Sequence, residues 1–484
     1  MKKRRIFPYD RKAESRRRLR TDVRECYNHP NMKRREVDLL NGPILSSLAR
    51  LAGPIMATGI MNMAYNLTDM IWLGKLSANS VSAAGLAGMF LWLSSGFALV
   101  NQIGTQIKVG QLIGAGEEKE ARDYASAGYR LTLFEGALFS LIGVLFTRQL
   151  IGFFRMQTPS MFEDACSYLF ITSLFGIFQF WNMMSSGINT ARGDSKTPFR
   201  INVCALITNI VLDPLLIFGF GPVKGMGVFG AALGTIIAQG LASALHARNF
   251  FQVPFFMETK LLGRHPMRLY ATITRIGLPT GMESVIFSII SMFLSRQVTA
   301  FGDAEIAAQR IGVQIESVAW MMAEGFSSAG NAFTAQNYGA KQYDRVRKGM
   351  RTVETISLLW GLFCTLLLLT CSETIISWFI RDPAVIAEGS NYLRIQSYSE
   401  IFCLIEMASA GVFNGLGHTL PPSLVGMSFT ASRIPIAAFL SKRIGINGVW
   451  WACSLTAMIK GVVLTAWLLL ALPGILKTEA PQNR

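Results

Sequence analysis

Long apolar segments, each about the length of a membrane-crossing helix, fill most of this chain after residue 47. A bilayer core needs roughly 20 predominantly apolar residues per helix. Six such segments lie between residues 48 and 250, and six more lie between residues 271 and 472. The apolar residues form blocks and do not alternate with a period of two, which excludes barrel strands. The pattern predicts an all-α integral membrane protein with about twelve transmembrane helices.

Charged residues are scarce and are concentrated between the apolar segments. They make up 16% of the chain, hydrophobic residues make up 51%, and the mean hydropathy is +0.36. Soluble domains average about 25% charged residues. The net charge is +16, but most Lys and Arg residues flank the apolar segments, as they do on the cytoplasmic side of membrane proteins. We therefore expect a lipid bilayer and no nucleic acid as the partner, with both termini in the cytosol.

The two halves of the chain resemble each other at a shift of about 225 residues. Pro54 matches Pro279, and Gly193 matches Gly417. Each half contains an even number of spans, so both halves have the same orientation and are related by an axis along the membrane normal. Two six-helix lobes that face a central cavity are the arrangement of an alternating-access carrier.

This repeat predicts a division of the chain into five parts. Residues 1–41 are rich in Lys and Arg and contain no apolar run, which is typical of a disordered cytosolic tail and not of a signal peptide. Met32 as the true start of the protein is an alternative that the sequence leaves open. The further parts are an N-lobe at 42–250, a cytosolic connector at 251–270, a C-lobe at 271–473 and a cytosolic tail at 474–484.

Two aspartates, Asp69 and Asp213, lie inside apolar segments of the first half only. Their repeat positions hold Leu294 and Ala437, so a requirement of the fold does not explain them. Ionisable side chains within a bilayer are costly and mark functional sites by default. Both aspartates fall in the outer parts of spans that run outward, which predicts that they lie at a similar depth.

Each aspartate has a polar residue one helical turn before it. Asn209 precedes Asp213 by four residues, and Tyr65 precedes Asp69 by four, so each pair shares a helix face. Pro214 cannot donate a backbone hydrogen bond, which leaves a free carbonyl acceptor near Asp213. A carboxyl group in this setting could load and release a proton. The same oxygens, with Asn209, could instead coordinate Na⁺, which prefers oxygen ligands.

The second half has embedded charges of its own. Glu283, Glu324, Glu406 and Arg433 lie well inside apolar segments. One interpretation is a buried ion pair between Arg433 and a glutamate, and the other is the wall of a cavity that attracts cations. Methionines are flexible lining residues suited to varied ligands, and we expect the glutamates to share a substrate cavity with Met282 and Met321.

Several segments resemble the multidrug and toxic compound extrusion (MATE) family, and within it the DinF-like prokaryotic branch. They are GPIMATGIMNMAYNLTDMIWLGKL (53–76), QLIGAG (111–116), GINTARGDSKTPF (187–199), NIVLDPLLIFGFG (209–221) and GLPTGMESVIFS (277–288). The resemblance implies twelve helices in two lobes and export of organic, often cationic, compounds against entry of H⁺ or Na⁺. It also implies that Pro54 marks a bend in the first helix. The cation-coupling residues that it implies are Asp69, Asp213, Asn209, Tyr65, Tyr168, Asn182 and Thr235.

The sequence thus predicts a secondary antiporter in the cell membrane that exchanges small organic compounds for H⁺ or Na⁺. The alternative is a flippase for lipid-linked oligosaccharide or polysaccharide precursors, which would need a cavity rich in Arg and Lys, whereas the embedded charges here are mainly acidic. The sequence contains no HExxH, zinc-ligand or GxxxxGK[ST] motif, so an enzyme or a primary pump is not indicated. We expect a monomer with no cofactor other than the coupling ion.

Overall fold

The computed structural model describes residues 36–154, 158–220, 223–259, 263, 265–298, 303–380 and 382–478. The part of the predicted basic tail at 1–35 lies outside the described residues. The described chain is helical except for its loops and one two-stranded pair of four residues. The two lobes repeat the same series of spans, and the helices of each are given below in chain order.

The N-lobe contains eight helices, with a short strand pair between the seventh and the eighth. They are α1 (Ile44–Leu76), α2 (Ala78–Gly114), α3 (Glu118–Leu145), α4 (Thr147–Gly152), α5 (Pro159–Leu174), α6 (Ile177–Ala191), α7 (Lys196–Ile217), β1 (Gly219–Phe220), β2 (Val223–Lys224) and α8 (Gly227–Gln252). The strands pair antiparallel, with Gly219 opposite Lys224. Helices α5 and α6 form one span that bends by 51° at the break between them.

The C-lobe follows the one-turn connector helix α9 (Pro254–Met257). Its six helices are α10 (Met267–Val298), α11 (Asp303–Gly339), α12 (Tyr343–Ser377), α13 (Pro383–Gly415), α14 (Leu420–Ile444) and α15 (Ile446–Thr478). The last helix therefore continues into the segment that the sequence assigned to the C-terminal tail.

By length and apolarity, nine helices of the described chain qualify as membrane spans. The bent α5–α6 pair, counted as one span, brings the number to ten. Helices α11 and α13 complete the twelve. Both are longer than 30 residues but carry more charge, including Glu316 and Glu324 on α11 and Glu400 and Glu406 on α13. The prediction of an all-α membrane protein with twelve spans in two lobes is confirmed.

The repeat is visible in the backbone as well as in the sequence. Gly193 and Gly417 hold φ values of +87° and +84° at matching positions. Gly116 at +79° matches Lys341 at +58°, where a residue with a side chain adopts the left-handed conformation. The same turn therefore follows α2 in one lobe and α11 in the other.

The lobes meet closely at one end of the bundle, here called the basal end, where α1 begins and where α2 and α11 end. Gln111 Nε2 donates to the Gly415 carbonyl at 3.2 Å, and its repeat partner Gln336 donates to the Ala191 carbonyl at 2.6 Å. A Cβ added at Gly114 would collide with the Gln336 carbonyl, and one at Gly339 with the Gln111 carbonyl. Helices α2 and α11 thus cross in direct backbone contact at Gly114 and Gly339. Two matching hydrogen bonds also link the lobes, one from α2 to α13 and one from α11 to α6.

Residues 36–42, just before α1, join the two lobes at the basal end. The Val37 amide donates to the Gly193 carbonyl of the N-lobe at 3.0 Å, and Glu36 pairs with Arg192. The Leu39 carbonyl accepts from Asn337 at 3.0 Å and from Arg345 at 3.1 Å, both of the C-lobe. The Leu39 side chain is buried. The predicted disordered tail is therefore wrong for residues 36–41, which these contacts hold in place.

Candidate functional site

Asp69 on α1 and Asp213 on α7 come together inside the N-lobe. Their side chains are close neighbours that interact electrostatically, and Tyr65 is a neighbour of Asp69. Asp213 is fully buried, and Asp69 Oδ1 and Asp213 Oδ2 are buried without a hydrogen-bond partner. Two carboxylates so close repel each other unless a proton or a cation lies between them. This pair, here called the carboxyl dyad, is thus chemically suited to hold one or the other.

Polar groups from four helices surround the dyad. Asn209 Nδ2 donates to Asp213 Oδ1 at 2.9 Å, as their spacing on α7 predicts, while Asn209 Oδ1 is buried without a partner. The Tyr65 hydroxyl and Thr235 Oγ1 on α8 are 2.8 Å apart. Tyr168 on α5 is buried within hydrogen-bonding reach of Thr235. Three unpartnered oxygens therefore lie among hydroxyl and carboxamide groups.

Close packing of α7 against α8 fixes the position of Asp213. A Cβ added at Gly234 would collide with Asp213 Oδ1, so only glycine lets the two helices approach at this point. Pro214 lies within α7 and continues the helix, since Phe218 donates to its carbonyl at 3.1 Å. The local sequence thus places a carboxylate and a neighbouring carboxamide on α7. It also leaves α8 without a side chain at the point where it meets the carboxylate.

The repeat positions in the C-lobe also meet, but they are apolar. Leu294 and Ala437 pack in one buried hydrophobic cluster with Ile290, Val449 and Ala452. The meeting of these two positions is a property of the repeated fold, whereas the two carboxyl groups are a property of the N-lobe alone.

A family model described as MatE matches residues 54–215 and 279–439 of this chain. The chain belongs to the MatE family. The two matched ranges begin 225 residues apart, which is the shift of the internal repeat. The family consists of membrane transporters, so this MatE protein is a multi-pass transporter and not an enzyme.

Known relatives match over nearly their whole length. A probable multidrug resistance protein NorM of Thermotoga maritima is 27% identical over 411 residues, which is 84% of this chain and 88% of the relative. An FAD transporter of Shewanella oneidensis is 24% identical over 431 residues, which is 88% of this chain and 94% of that one. A crystal structure of MATE in the bent conformation superimposes with a TM-score of 0.84 at 22% identity, covering 92% of this chain and 99% of that chain.

A cavity of about 390 Å³ lies in the N-lobe of this MatE protein, next to the dyad. Tyr65 and Thr235 belong to its lining; Tyr65 also lies next to Asp69, and Thr235 contacts the Tyr65 hydroxyl. Asn182 lines the same cavity but binds α8, where its Nδ2 donates to the Gln239 carbonyl at 3.2 Å and its Oδ1 accepts from Ser243 at 2.9 Å. Of the seven predicted coupling residues, the structure gathers six around the dyad and places Asn182 in the cavity wall.

Pro54, the predicted bending point, lies inside the continuous helix α1. Because proline has no amide hydrogen, it leaves the carbonyl one turn earlier without its helical partner. Thr58 Oγ1 donates to the Pro54 carbonyl at 2.9 Å. Whether α1 bends in another state stays a prediction.

A second cavity of about 490 Å³ lies in the C-lobe and is lined by charged and aromatic side chains. Glu406, Glu316 and Glu400 line it, together with Arg433 and Lys460. Of the five residues predicted to line a substrate cavity, only Glu406 lines this one. Met321 packs against Gly59 of α1, and Glu283 packs against Gly426 of α14. Glu324 and Met282 are exposed elsewhere on α11 and α10.

Of the two interpretations of the C-lobe charges, the structure places Arg433 in the wall of a cavity, and the buried ion pair of the described C-lobe involves Lys460. Lys460 Nζ lies 3.1 Å from Glu406 Oε2, and the two side chains are 14% and 8% exposed. Arg433 Nε instead donates to Thr456 Oγ1 at 3.0 Å. Which charges meet depends on how α13 and α15 pack in the folded protein, and the sequence alone does not show it.

Three residues of the C-lobe cavity were missed by sequence reasoning: Glu316, Glu400 and Lys460. Glu316 and Glu400 are 1% and 2% exposed, and each has one carboxylate oxygen without a partner. The Tyr392 hydroxyl donates to Glu316 Oε2 at 3.2 Å. All three charges lie within spans, so the rule that selected Asp69 and Asp213 would also have found them.

Proposed function

We propose that this protein is a secondary antiporter that exports organic, often cationic, compounds in exchange for H⁺ or Na⁺. The observation that carries the proposal is the carboxyl dyad with its unpartnered oxygens, Asp69 Oδ1, Asp213 Oδ2 and Asn209 Oδ1. A proton or a Na⁺ ion entering this site would relieve the repulsion between the carboxylates and satisfy these oxygens. Coupling then follows if cation binding and substrate binding favour different lobe arrangements.

The dyad communicates with the N-lobe cavity through a shared wall. Tyr65 and Thr235, whose hydroxyl oxygens are 2.8 Å apart, both line the cavity, and Tyr65 also lies next to Asp69. A ligand that moves this pair changes the surroundings of Asp69, and a cation at Asp69 changes the wall of the cavity. This reciprocity is what coupled exchange requires.

The lobes suit alternating access. The excess of Lys and Arg in the loops of the basal end supports its placement in the cytosol, together with both termini. The hydrogen bonds of Gln111 and Gln336 and the glycine contacts of α2 with α11 would then close the cytosolic side. Solved structures titled as bent and straight conformations of MATE are fold neighbours of this chain. Pro54 interrupts the backbone hydrogen bonding of α1, which makes a bend there inexpensive.

The C-lobe cavity supports a cationic substrate class. Aromatic faces attract cations, and Glu316 and Glu400 supply negative charge beside them. The aromatic side chains that line this cavity are Trp92, Phe287, Trp320, Tyr392 and Trp450. An organic cation with a flat apolar body could bind here by both interactions.

Anionic substrates are less well supported. The FAD transporter of Shewanella oneidensis raises the alternative of a nucleotide substrate, and a lipid-linked precursor would likewise carry a pyrophosphate. Recognition of phosphate favours free Arg and Lys side chains. In the described C-lobe cavity, Lys460 is paired with Glu406, and Arg433 shares the lining with Glu316 and Glu400, so the carboxylates of the lining disfavour a phosphate.

The test is efflux of ethidium from proteoliposomes under a proton gradient and a sodium gradient imposed separately. We expect one of the two gradients, directed opposite to ethidium movement, to drive its export. Ethidium movement that ignores both gradients would contradict antiport. Ethidium that is not moved at all, with a different dye moved by a gradient, would contradict only the substrate class.

A further inference from the structure

A groove of about 450 Å³ lies on the outside of the N-lobe, at the end of the bundle opposite the basal end. Its walls come from α3, α4, α5 and α8, and its described lining has no residue in common with that of the cavity beside the dyad. Leu145, Phe170 and Phe229 in its wall are 61%, 41% and 39% exposed. On a membrane protein such apolar side chains face lipid, so the groove opens toward the bilayer.

An apolar stripe leads along α3 away from this groove, here called the lipid-facing groove. Phe134, Leu138, Leu141 and Leu145 are all exposed, and they recur at helical spacing on one face of α3. The helix rises by about 16 Å from Phe134 to Leu145, which is close to half of a hydrocarbon core of about 30 Å. One leaflet of acyl chains therefore fits beside the stripe, and the groove lies at the level of the headgroups.

Polar and charged side chains line the groove at this level. Helix α4 begins directly after α3 and contributes Thr147, Arg148 and Gln149 to the lining. Arg148 pairs with Glu163 of α5, and both side chains are more than half exposed. The Arg148 guanidinium also lies 5.7 Å from the centre of the Phe162 ring. The rim of the groove thus carries one positive and one negative charge side by side, next to an apolar wall.

The two charges at the rim match a zwitterionic headgroup better than an anionic one. A guanidinium has five N–H donors, and the contact with Glu163 uses Nη2 of Arg148, so a lipid phosphate can bind to the remaining donors. An ammonium group next to that phosphate would face the Glu163 carboxylate. A lipid whose only charge is a phosphate would instead be repelled by Glu163.

We propose that the lipid-facing groove binds phosphatidylethanolamine, with its phosphate on Arg148, its ammonium on Glu163 and an acyl chain along the stripe on α3. A primary ammonium has three N–H donors for the carboxylate, whereas the methylated ammonium of phosphatidylcholine has none. Phosphatidylglycerol has no ammonium group. The headgroup therefore decides which lipid binds, since the acyl chains make contacts that all three lipids share.

The lipid-facing groove and the dyad are connected through α5. Cys166 and Ser167 line the groove, and the next residue, Tyr168, is buried and is a neighbour of Asp69. Helix α8, which carries Thr235, supplies another wall of the groove. A bound lipid would hold α5 against α8 on the lipid side of the dyad. This step rests on the proposed antiport, and it predicts that ethidium export depends on the lipid headgroup.

Binding can be tested by native mass spectrometry of the purified protein with equimolar phosphatidylethanolamine, phosphatidylcholine and phosphatidylglycerol. In the wild type, we expect bound phosphatidylethanolamine to exceed each of the others about fivefold. Arg148→Gln should lower bound phosphatidylethanolamine about fivefold, because it removes the phosphate donor. Glu163→Gln should raise bound phosphatidylglycerol to the level of phosphatidylethanolamine, because it removes the repulsion. Exposed ion pairs contribute little to stability, so both variants should fold.

The matched control is Arg443→Gln, which removes an exposed arginine that also lies over a phenylalanine ring, that of Phe439, at the same end of the C-lobe. It should leave the bound lipids unchanged. The exchange Arg148→Glu/Glu163→Arg keeps an ion pair but reverses the two charges, and it should abolish the preference for phosphatidylethanolamine. Equal binding of the three lipids to the wild type would overturn the proposal. A preference that survives both Arg148→Gln and the exchange would do the same.

Ethidium export from proteoliposomes tests the connection to the dyad. Vesicles of phosphatidylethanolamine with phosphatidylglycerol are compared with vesicles in which phosphatidylcholine replaces phosphatidylethanolamine. Wild-type export should be faster with phosphatidylethanolamine, and Arg148→Gln should export equally in both. A headgroup effect that persists in Arg148→Gln would be a bulk property of the bilayer and would contradict the connection. Absence of ethidium export in both vesicles would count against the proposed function, whereas preferential lipid binding in the mass spectrum would still support the groove.

Discussion

The two lobes share one fold but differ in what their interiors contain. In the N-lobe, two carboxyl groups face each other beside an uncharged cavity lined by Asn and Gln. In the C-lobe, the positions that match Asp69 and Asp213 are packed hydrophobic residues, while a separate cavity holds glutamates, a lysine and an arginine. Duplication of the fold therefore did not duplicate its chemistry.

The contrast also separates two kinds of buried charge. The dyad of the N-lobe consists of like charges with unpartnered oxygens, which only an added proton or cation can satisfy. The Lys460–Glu406 pair of the C-lobe satisfies itself. A site that must be loaded and emptied requires the first arrangement, whereas the second holds helices α13 and α15 together.

The largest expected effect is the loss of coupling on removing one carboxylate of the dyad. Asp213→Asn keeps the shape and the hydrogen bonding of the side chain but removes the charge that a coupling ion would neutralise. We expect gradient-driven ethidium efflux in proteoliposomes to fall to the level of empty liposomes, and Asp69→Asn to behave in the same way.

A matched control is Glu135→Gln, which neutralises a carboxylate inside the same lobe but outside the dyad. Glu135 Oε2 accepts from Asn101 Nδ2 at 2.6 Å, and glutamine can keep that bond. Export should survive in this variant. If Glu135→Gln and Asp213→Asn reduced export equally, the loss of any carboxylate inside the lobe would disable transport. The dyad would then not be a specific coupling site.

The dyad could be anticipated from sequence because its two residues stand out against an apolar background and lack counterparts in the repeat. The i, i+4 spacing of Asn209 and Asp213 also fixed their shared helix face, which the 2.9 Å hydrogen bond between them bears out. Helical periodicity is a local property, so these relations within one helix did not require the tertiary structure.

The Asn and Gln lining of the N-lobe cavity and the Lys460–Glu406 pair were not anticipated. Single Asn and Gln residues scattered over five helices carry no charge and do not interrupt an apolar segment, so each looks like a packing residue until the helices are assembled. An ion pair of Arg433 with a glutamate was one of two interpretations, yet it is Lys460 of α15 that lies next to Glu406 of α13. Contacts between helices depend on crossing angle and depth, which sequence patterns do not specify.

The next effect concerns the ion pair of the C-lobe. Lys460→Met leaves Glu406 buried without its partner, which should destabilise the protein by about 3–5 kcal/mol. The double variant Lys460→Met/Glu406→Leu should recover most of this loss, because it removes the stranded charge. Thermal unfolding in detergent measures both.

The control for this ion pair is Arg148→Met, which breaks the exposed pair of Arg148 with Glu163 at 59% and 61% exposure. Exposed pairs contribute about 0–1 kcal/mol, so little change is expected. If Lys460→Met and Arg148→Met shifted the unfolding temperature by the same small amount, the C-lobe pair would not be the internal brace described here.

A smaller effect should fall equally on both lobes. Gln111→Leu and Gln336→Leu each remove one of the two matching hydrogen bonds at the basal end, worth about 0.5–1.5 kcal/mol. Each should raise the population of the open basal end by about two- to tenfold. Spin labels at Lys119 and Asp344, exposed repeat positions on α3 and α12, would report it as a longer distance in a cysteine-free background. If one variant lengthened the distance between the labels and the other did not, the two hydrogen bonds would not contribute equally to closing the basal end.

The smallest effect is expected at Glu36, which connects the segment before α1 to Arg192 of the N-lobe. Burial raises the pKa of Glu36 above its ordinary value, although Arg192 acts in the opposite direction. For an acid whose pKa is raised on folding, stability decreases as pH rises from the unfolded-state value through the folded-state value. The charged pair therefore adds little, and Glu36→Gln should change stability by less than about 0.5 kcal/mol at neutral pH.

Asn337→Leu provides the comparison on the C-lobe side of the same segment, since it removes the 3.0 Å bond from Asn337 to the Leu39 carbonyl and the 3.0 Å bond that Asn337 Oδ1 accepts from Arg345 Nε. One bond is neutral and the other has a charged donor, so their loss should cost about 2–4 kcal/mol. A larger loss of stability for Glu36→Gln than for Asn337→Leu, measured by thermal unfolding at neutral pH, would contradict this order of effects. The segment would then be anchored to the N-lobe by charge and not to the C-lobe by its backbone.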